Sequence, residues 1–360
     1  MRITVIGSGI VGAAAAYHLS TRGVAVTVVD EERAGAATQA GAGIVCPWVD
    51  HEDDEGWYLL AREGARHYGG LPLEGGAHAR VGALLVAGER AELEPVRALL
   101  AARRAGAPEM GEVTEVDRPA ELFPPLAPAL KALFVPGAAR VDGRAVRDGL
   151  LAAAVRRGAA VLRGSASLAP DGTVVVASPA TEPAARGPVA QPAADAVIVA
   201  AGAWTGELCR PLGVEVPVFP RRGQIVHAAV PGADTAAWPI VLPVRGPYLL
   251  GFPGGRVVMG ATVEEAGFDP RVTVAGMAEV LSGALGVAPG LACATVTGTR
   301  VGLRPVTASG RPLIARVADG VVAVTGLSAY GLTAGPYAGM LAATLATGDK
   351  PPLDLAQYGL

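Results

Sequence analysis

The residues best suited to chemistry come first in the chain. Gly7, Gly9 and Gly12 form G-x-G-x-x-G within GSGIVG, and Asp30 closes the apolar run VAVTVVD. Each has a physical task. Gly7 permits a tight turn out of a strand. Gly9 lets the backbone approach a pyrophosphate, whose charge meets the positive end of a helix. Gly12 allows that helix to pack closely on the strand. Asp30 is spaced to accept hydrogen bonds from ribose hydroxyls, and its charge disfavours a 2′-phosphate, hence NADP. These residues point to a dinucleotide; alone they do not separate NAD from FAD.

The surrounding elements agree. RITVIG alternates and is β-branched, as a buried strand does. IVGAAAAYHLSTRG is Ala-rich and stops at Gly23, as a glycine-capped helix does. VAVTVVD reads as a second strand, completing a β-α-β unit within residues 1–30. The same glycines, with His18, Ser20, Thr21 and Arg22, interrupt the N-terminal apolar stretch, so it reads as neither a membrane span nor an export signal. A soluble, cytoplasmic protein is expected.

Composition narrows the chemistry. A chain of 360 residues is long for one compact domain, and a net charge of -3 lacks the basic excess that nucleic acid requires. Lys131 and Lys350 are the only lysines and neither sits in a motif, so Schiff-base chemistry is not indicated. Cys46, Cys209 and Cys293 show no C-x-x-C spacing, which argues against a disulfide framework or a zinc site; no metal is expected.

Beyond the first unit, EERAGAATQAGAGIV reads as loop and 57–69 as helix. HARVGALLVAG reads as strand and ERAELEPVRALLAARRAG as helix. VDGRAVRDGLLAAAVRRGAAVL reads as a helix capped by Asp142, then a strand. DGTVVVAS and ADAVIVAAGAW are strands, with a Pro/Ala-rich loop at 179–194 between them. The runs QIVHAAV, PIVLPV, PYLLGF and RVVMGAT alternate with turns in an antiparallel pattern that also contains the helix TVAGMAEVLSGAL. Near the end come a strand, a glycine-rich loop and a helix. The expectation is an α/β protein with a discontinuous nucleotide-binding domain (1–80, 140–213 and 300–360). An interleaved antiparallel α+β substrate domain fills 81–139 and 214–299.

Five separated motifs, spanning nearly the whole chain, resemble the glutathione-reductase-type FAD-binding Rossmann fold of the DAO superfamily, the group of glycine oxidase, sarcosine oxidase and D-amino acid dehydrogenase. The first is the N-terminal unit, with Ile10 and Val11 between the glycines and Glu31 and Arg33 after Asp30, where the family usually has Glu. The second is ATQAGAGI: Thr38 matches the family's Ser, Ala42 and Gly43 its Ala-Gly, Ile44 follows, and Gly41 replaces the usual Asn. The third is GAAVLRGSASL, similar to the segment whose backbone touches adenine, with Ser167 at that position. The fourth is VIVAAGAW, bringing Ala201, Gly202 and Trp204 near the cofactor. The fifth is the pair GLRPVTASGRPLIA, with Gly302 and Arg304, and GLSAYGLTAGP, with Ser328, Ala329 and Tyr330. Gly331, Leu332 and Thr333 open the last helix, whose N–H groups can stabilise negative charge on a reduced flavin.

The resemblance implies non-covalent FAD, since the cysteine attachment motif of monomeric sarcosine oxidase is not seen. It places Arg304 where relatives hold the substrate carboxylate, and a guanidinium suits bidentate carboxylate recognition. It implies that Tyr248 reaches the second carboxylate oxygen, that Tyr330 walls the pocket, and that Trp48 and His51 shape the entrance. Asp50 to Glu55 read as a solvated acidic run, or as a feature favouring a cationic substrate. Val258 stands where sarcosine oxidase has a Lys near the flavin.

The implied reaction is oxidation of the C–N bond of a small amino acid or N-substituted glycine, glycine-oxidase-like. Hydride passes from Cα to flavin N5 and the imine is hydrolysed. O₂ or a quinone takes the electrons, so a D-amino acid dehydrogenase is the alternative; homo-oligomer formation is left open. An FAD/NAD(P)H reductase would show a second G-x-G-x-x-G or a redox cysteine pair, and a tRNA-modifying flavin domain would show a basic face.

Overall fold

The computed structural model describes residues 1–177, 189–190 and 194–360. Its first sheet has six strands in the order Leu313–Ala318, Val321–Thr325, Ala196–Val199, Arg2–Ile6, Ala25–Asp30, Ala160–Arg163. All neighbours are parallel except the hairpin of the first two. The strands nearest the centre are buried on both faces, as parallel strands covered by helices must be. The helix Ile10–Thr21 is Ala-rich and packs between Gly143–Val155 and the C-terminal helix Gly331–Ala346. Asp142 caps Gly143–Val155 by accepting from the N–H groups of Arg144 and Ala145, as its sequence suggests.

A second sheet has eight strands: Thr295–Thr307, Val218–Ala229, Arg256–Gly260, Tyr248–Phe252, Ile240–Pro243, Ala83–Ala87, Lys131–Val135, Thr114–Val116. It is antiparallel except where Ile240–Pro243 pairs in parallel with Ala83–Ala87, so the antiparallel expectation fails at that one joint. Val226, Met259 and Leu249 join one cluster with the helix Val274–Val287, while Ile225, Val258, Leu250 and Phe252 join another with Cys46 and Trp48. Two small three-stranded sheets complete the fold: Ile44–Val45 with Ala139–Val141 and His78–Arg80, and Ser165–Leu168 with Val174–Ala177 and Val189–Ala190.

Several sequence expectations need correction. Gly82, at φ 76°, breaks HARVGALLVAG into two strands that enter different sheets. Pro95 sits in the first turn of Glu94–Arg103, and residues before it form the separate 3-10 turn Arg90–Leu93. The segment read as loop after Asp30 contains the short helix Ala37–Ala40. The loop read at 179–194 falls mostly outside the described residues, apart from the strand Val189–Ala190. The domain boundary drawn at 300 falls inside Thr295–Thr307, which pairs along its length with Val218–Ala229. Arg304 is therefore carried by the eight-stranded sheet, not by the nucleotide-binding one.

Candidate active site

Residues of both large sheets line one cavity of about 390 Å³. At one end, the strand Arg2–Ile6 runs into Gly7, whose φ is 99°. A Cβ on Gly12 would lie 1.9 Å from the Gly7 carbonyl oxygen, so helix and turn touch backbone to backbone. Asp30 is fixed there: one carboxylate oxygen accepts the Ser8 N–H, the other the Glu32 N–H at 2.5 Å. Arg33 pairs with Glu31 at 2.7 Å and lies 5.6 Å from the Trp204 ring centroid. Ile10 N–H donates to Thr38 Oγ1 at 3.0 Å, tying the glycine turn to the short helix Ala37–Ala40.

At the other end, side chains dominate. The Arg304 guanidinium lies over Gly223, where any Cβ would sit 2.4 Å from its nitrogens. Its Nη1 donates to the Thr262 carbonyl at 3.0 Å and the Arg222 carbonyl at 3.5 Å, and no carboxylate pairs with it among the described residues. Burial pushes the Tyr248 phenol up to about 12, against the nearby positive charge of Arg304, so Tyr248 remains a hydrogen-bond donor at neutral pH. Tyr330 donates its hydroxyl to Asp50, and burial with the Asp50 charge holds its phenol far above the usual range. The other Asp50 oxygen has no partner among the described residues. Cys46, Val49, Ile225 and Leu242 supply apolar wall.

Most residues singled out from the sequence line this cavity: Gly7, Gly9, Ile10 and Val11; Asp30, Glu31 and Arg33; Thr38 and Gly41 to Ile44; Ala201, Gly202 and Trp204; Tyr248; Gly302 and Arg304; and the run from Ser328 to Thr333. Gly12 lies behind it, packed on Gly7. Ser167 does not line it. Side chains alternate along Ser165–Leu168, and Ala166 with Gly164 faces the cavity instead. Trp48 is buried in the cluster behind the wall. His51, at φ 58°, stacks on Trp57 with ring centroids 4.7 Å apart and meets Tyr330 at 4.5 Å. Burial lowers its pKa, so it supports Tyr330 as a neutral ring.

The acidic run is not simply a solvated loop. Asp50 reaches the cavity, while Asp54 caps the helix Glu55–His67 and pairs with Arg311 at 2.9 Å. Sequence reasoning also missed Arg103. It is 9% exposed and donates to the carbonyls of Trp48, Asp50 and His51 at 2.9, 2.6 and 2.8 Å, holding that loop against the cavity. The available signal was position: Arg103 shares a helix face with buried Leu100, whereas Arg104 is exposed.

The family model described as FAD dependent oxidoreductase (DAO) matches residues 2–345. The chain belongs to the DAO family of FAD-dependent oxidoreductases. It is 44% identical to an uncharacterised oxidoreductase, YurR, of Bacillus subtilis, over 98% of this chain and 97% of that one. The crystal structure of iminodiacetate oxidase from Chelativorans sp. BNC1 superposes with a TM-score of 0.92 at 42% identity, over 99% and 98% of the two chains. Glycine oxidase of Pseudomonas aeruginosa is 29% identical over 99% and 98%.

The cofactor of this family, FAD, fits the cavity. Two helices, Ile10–Thr21 and Gly331–Ala346, open onto it, and neither has a side-chain cap at its N-terminus. Apart from the Ile10 N–H, which Thr38 Oγ1 takes, their first-turn N–H groups are thus available to negative charge at two separate places, one suited to a pyrophosphate and one to a flavin. Among the described residues no helix is long and apolar enough to cross a membrane, and no group of acids, histidines and cysteines could hold a metal.

Proposed function

We propose that this FAD-dependent oxidoreductase oxidises the C–N bond of a small amino acid, with N-substituted glycines as the preferred class. The observation that carries the reading is Arg304, a cation on the cavity wall that no carboxylate of the described protein neutralises. A substrate carboxylate would complete it, and Tyr248 adds a second donor. Asp50 offers the opposite charge in the same cavity, so the pair matches a zwitterion.

Bound FAD supplies the two-electron acceptor. The chain's own part is binding and orientation. Arg304 and Tyr248 hold the carboxylate, Asp50 and Tyr330 receive the amine side, and Val49, Ile225 and Leu242 exclude water. Loss of a hydride from Cα and a proton from nitrogen, two electrons and two protons in all, leaves an imine, which water hydrolyses to a carbonyl acid and an amine. FAD is held without a covalent bond in this reading: Cys46 lines the cavity, and burial pushes its thiol far above the usual range, which disfavours a nucleophilic thiolate there. The similarity to iminodiacetate oxidase supports the substrate class.

Anaerobic mixing of the holoenzyme with glycine, sarcosine, iminodiacetate, D-alanine and D-proline tests this. The expected result is bleaching of the oxidised-flavin band, fastest with an N-substituted glycine; no bleaching by any of them overturns the reading. A second reading, a dehydrogenase passing electrons to a quinone, is favoured by buried Val258, on the sheet face where sarcosine oxidase resembles it but for a Lys. Reoxidation rates with O₂ and with a soluble quinone separate the two.

A further inference from the structure

A second cluster of charge lies on the same sheet face, farther along the strands and outside the cavity lining. His227 pairs with Val258 on one neighbouring strand and Gly298 on the other. Arg256 and Arg300 are its diagonal neighbours on those strands. Side-chain alternation puts all three on the face that carries Ile225 and Val258. Facing them is the start of the helix Gly143–Val155: Asp142 pairs with Arg256 at 2.9 Å, and Arg144 donates to the Gln39 carbonyl at 2.9 Å.

The charges do not balance. Three guanidiniums, Arg144, Arg256 and Arg300, meet one carboxylate, Asp142, which is also occupied in capping the helix. Arg300 is partly buried and makes no side-chain hydrogen bond or ion pair among the described residues. The burial of Arg300 and the charges of Arg144 and Arg256 lower its pKa. His227 is 7% exposed, and its Nε2 is buried with no partner. Burial, then Arg300, Arg256 and Arg144, pull its pKa to about 4, so it is neutral and able to donate from one ring nitrogen. Nearby Arg140 is different: its Nη1 donates to the carbonyls of Ala236 and Gly251, and its guanidinium lies 4.8 Å from the Phe252 ring centroid. Buried polar groups are normally paired, and half-buried like charges repel, so this arrangement is unfavourable as it stands.

We propose that Arg144, Arg256, Arg300 and His227 form a binding site for a small oxyanion bearing carboxylate or phosphate groups, separate from the oxidation cavity. Arg300 and Arg144 supply free guanidinium donors, and the His227 Nε2 supplies the buried floor. The site opens to solvent on the side of exposed Arg144.

The test is thermal melting of the holoenzyme in citrate, inorganic phosphate and chloride at equal ionic strength and one pH near neutrality. Citrate or phosphate should raise the melting temperature saturably, as a ligand of the native state does. Arg300→Gln should weaken that binding by about tenfold or more, and His227→Gln should weaken it as well. In chloride, Arg300→Gln should melt no lower than the parent protein, because it relieves repulsion; an arginine with a purely structural role would lower it. Retained flavin absorbance marks each variant as folded. A response to oxyanions no larger than to chloride, or one that survives both substitutions, overturns the proposal. So does a response accompanied by a change in particle size on gel filtration, which would assign the cluster to carboxylates of a second copy of the chain.

Discussion

The two ends of the long cavity are built by different means. The glycine-rich end is built mainly from local backbone: its centre is a turn, a helix start and one acid within residues 1–33, flanked by Thr38, Gly164, Ala166 and Trp204. The far end is assembled from side chains carried by segments far apart in sequence, with Asp50, Tyr248, Arg304 and Tyr330 meeting there. Backbone geometry tolerates almost no substitution where atoms already touch. A side-chain site tolerates substitution in the fold and changes what it recognises. The first end should therefore fail as structure, the second as chemistry.

The largest expected effect belongs to the first end. Gly12→Ala places a methyl 1.9 Å from the Gly7 oxygen, and the helix must move away. We expect a loss of about 3 kcal/mol of stability and of bound FAD, read by melting and by the flavin-to-protein absorbance ratio. If Gly12→Ala keeps its FAD and its melting temperature, the backbone end is looser than described. Arg103→Met comes next. It leaves three loop carbonyls without their donor, at a cost of about 2 kcal/mol, and should raise the substrate KM while FAD stays bound. Tyr330→Phe removes only the hydroxyl bond to Asp50 and should raise KM roughly fivefold, with flavin content unchanged; a fall in flavin content instead would blur the distinction between the two ends.

The smallest effect concerns acid. Burial lowers the pKa of all five histidines from the ordinary 6.5, to about 3 for His18 and about 4 for His227. Below pH 6.5 the unfolded chain binds protons that the folded chain refuses. Stability is therefore complete above 6.5 and falls as pH drops toward the folded values. His18 and His67 share one hydrogen bond at 3.0 Å between their Nε2 atoms. His67→Gln should flatten the melting-temperature profile between pH 6.5 and 4 and hardly change it at neutral pH.

Legibility in the sequence follows the same division. The β-α-β unit could be read because its residues are consecutive and each has one physical task. Arg304 and Tyr248 carry no local signal of function; only resemblance to a family singled them out. Asp50 was obscured by its acidic neighbours, since nothing in DHEDDE separates a cavity carboxylate from a helix cap. Arg103 was obscured by the chain's preference for arginine over lysine. Ser167 was singled out for a backbone contact, which side-chain alternation cannot read; in the structure Gly164 and Ala166 of the same segment line the cavity.

The central claim is that Arg304 meets a substrate carboxylate. The direct measurement is the concentration dependence of anaerobic flavin reduction, for the parent protein and Arg304→Ala, with an N-substituted glycine and the matching amine lacking the carboxylate. Arg304→Ala should raise the half-saturating concentration of the acid on the order of 100-fold with FAD retained, and leave the amine unaffected. Equal penalties on acid and amine, or an unchanged half-saturation for the acid, would contradict it.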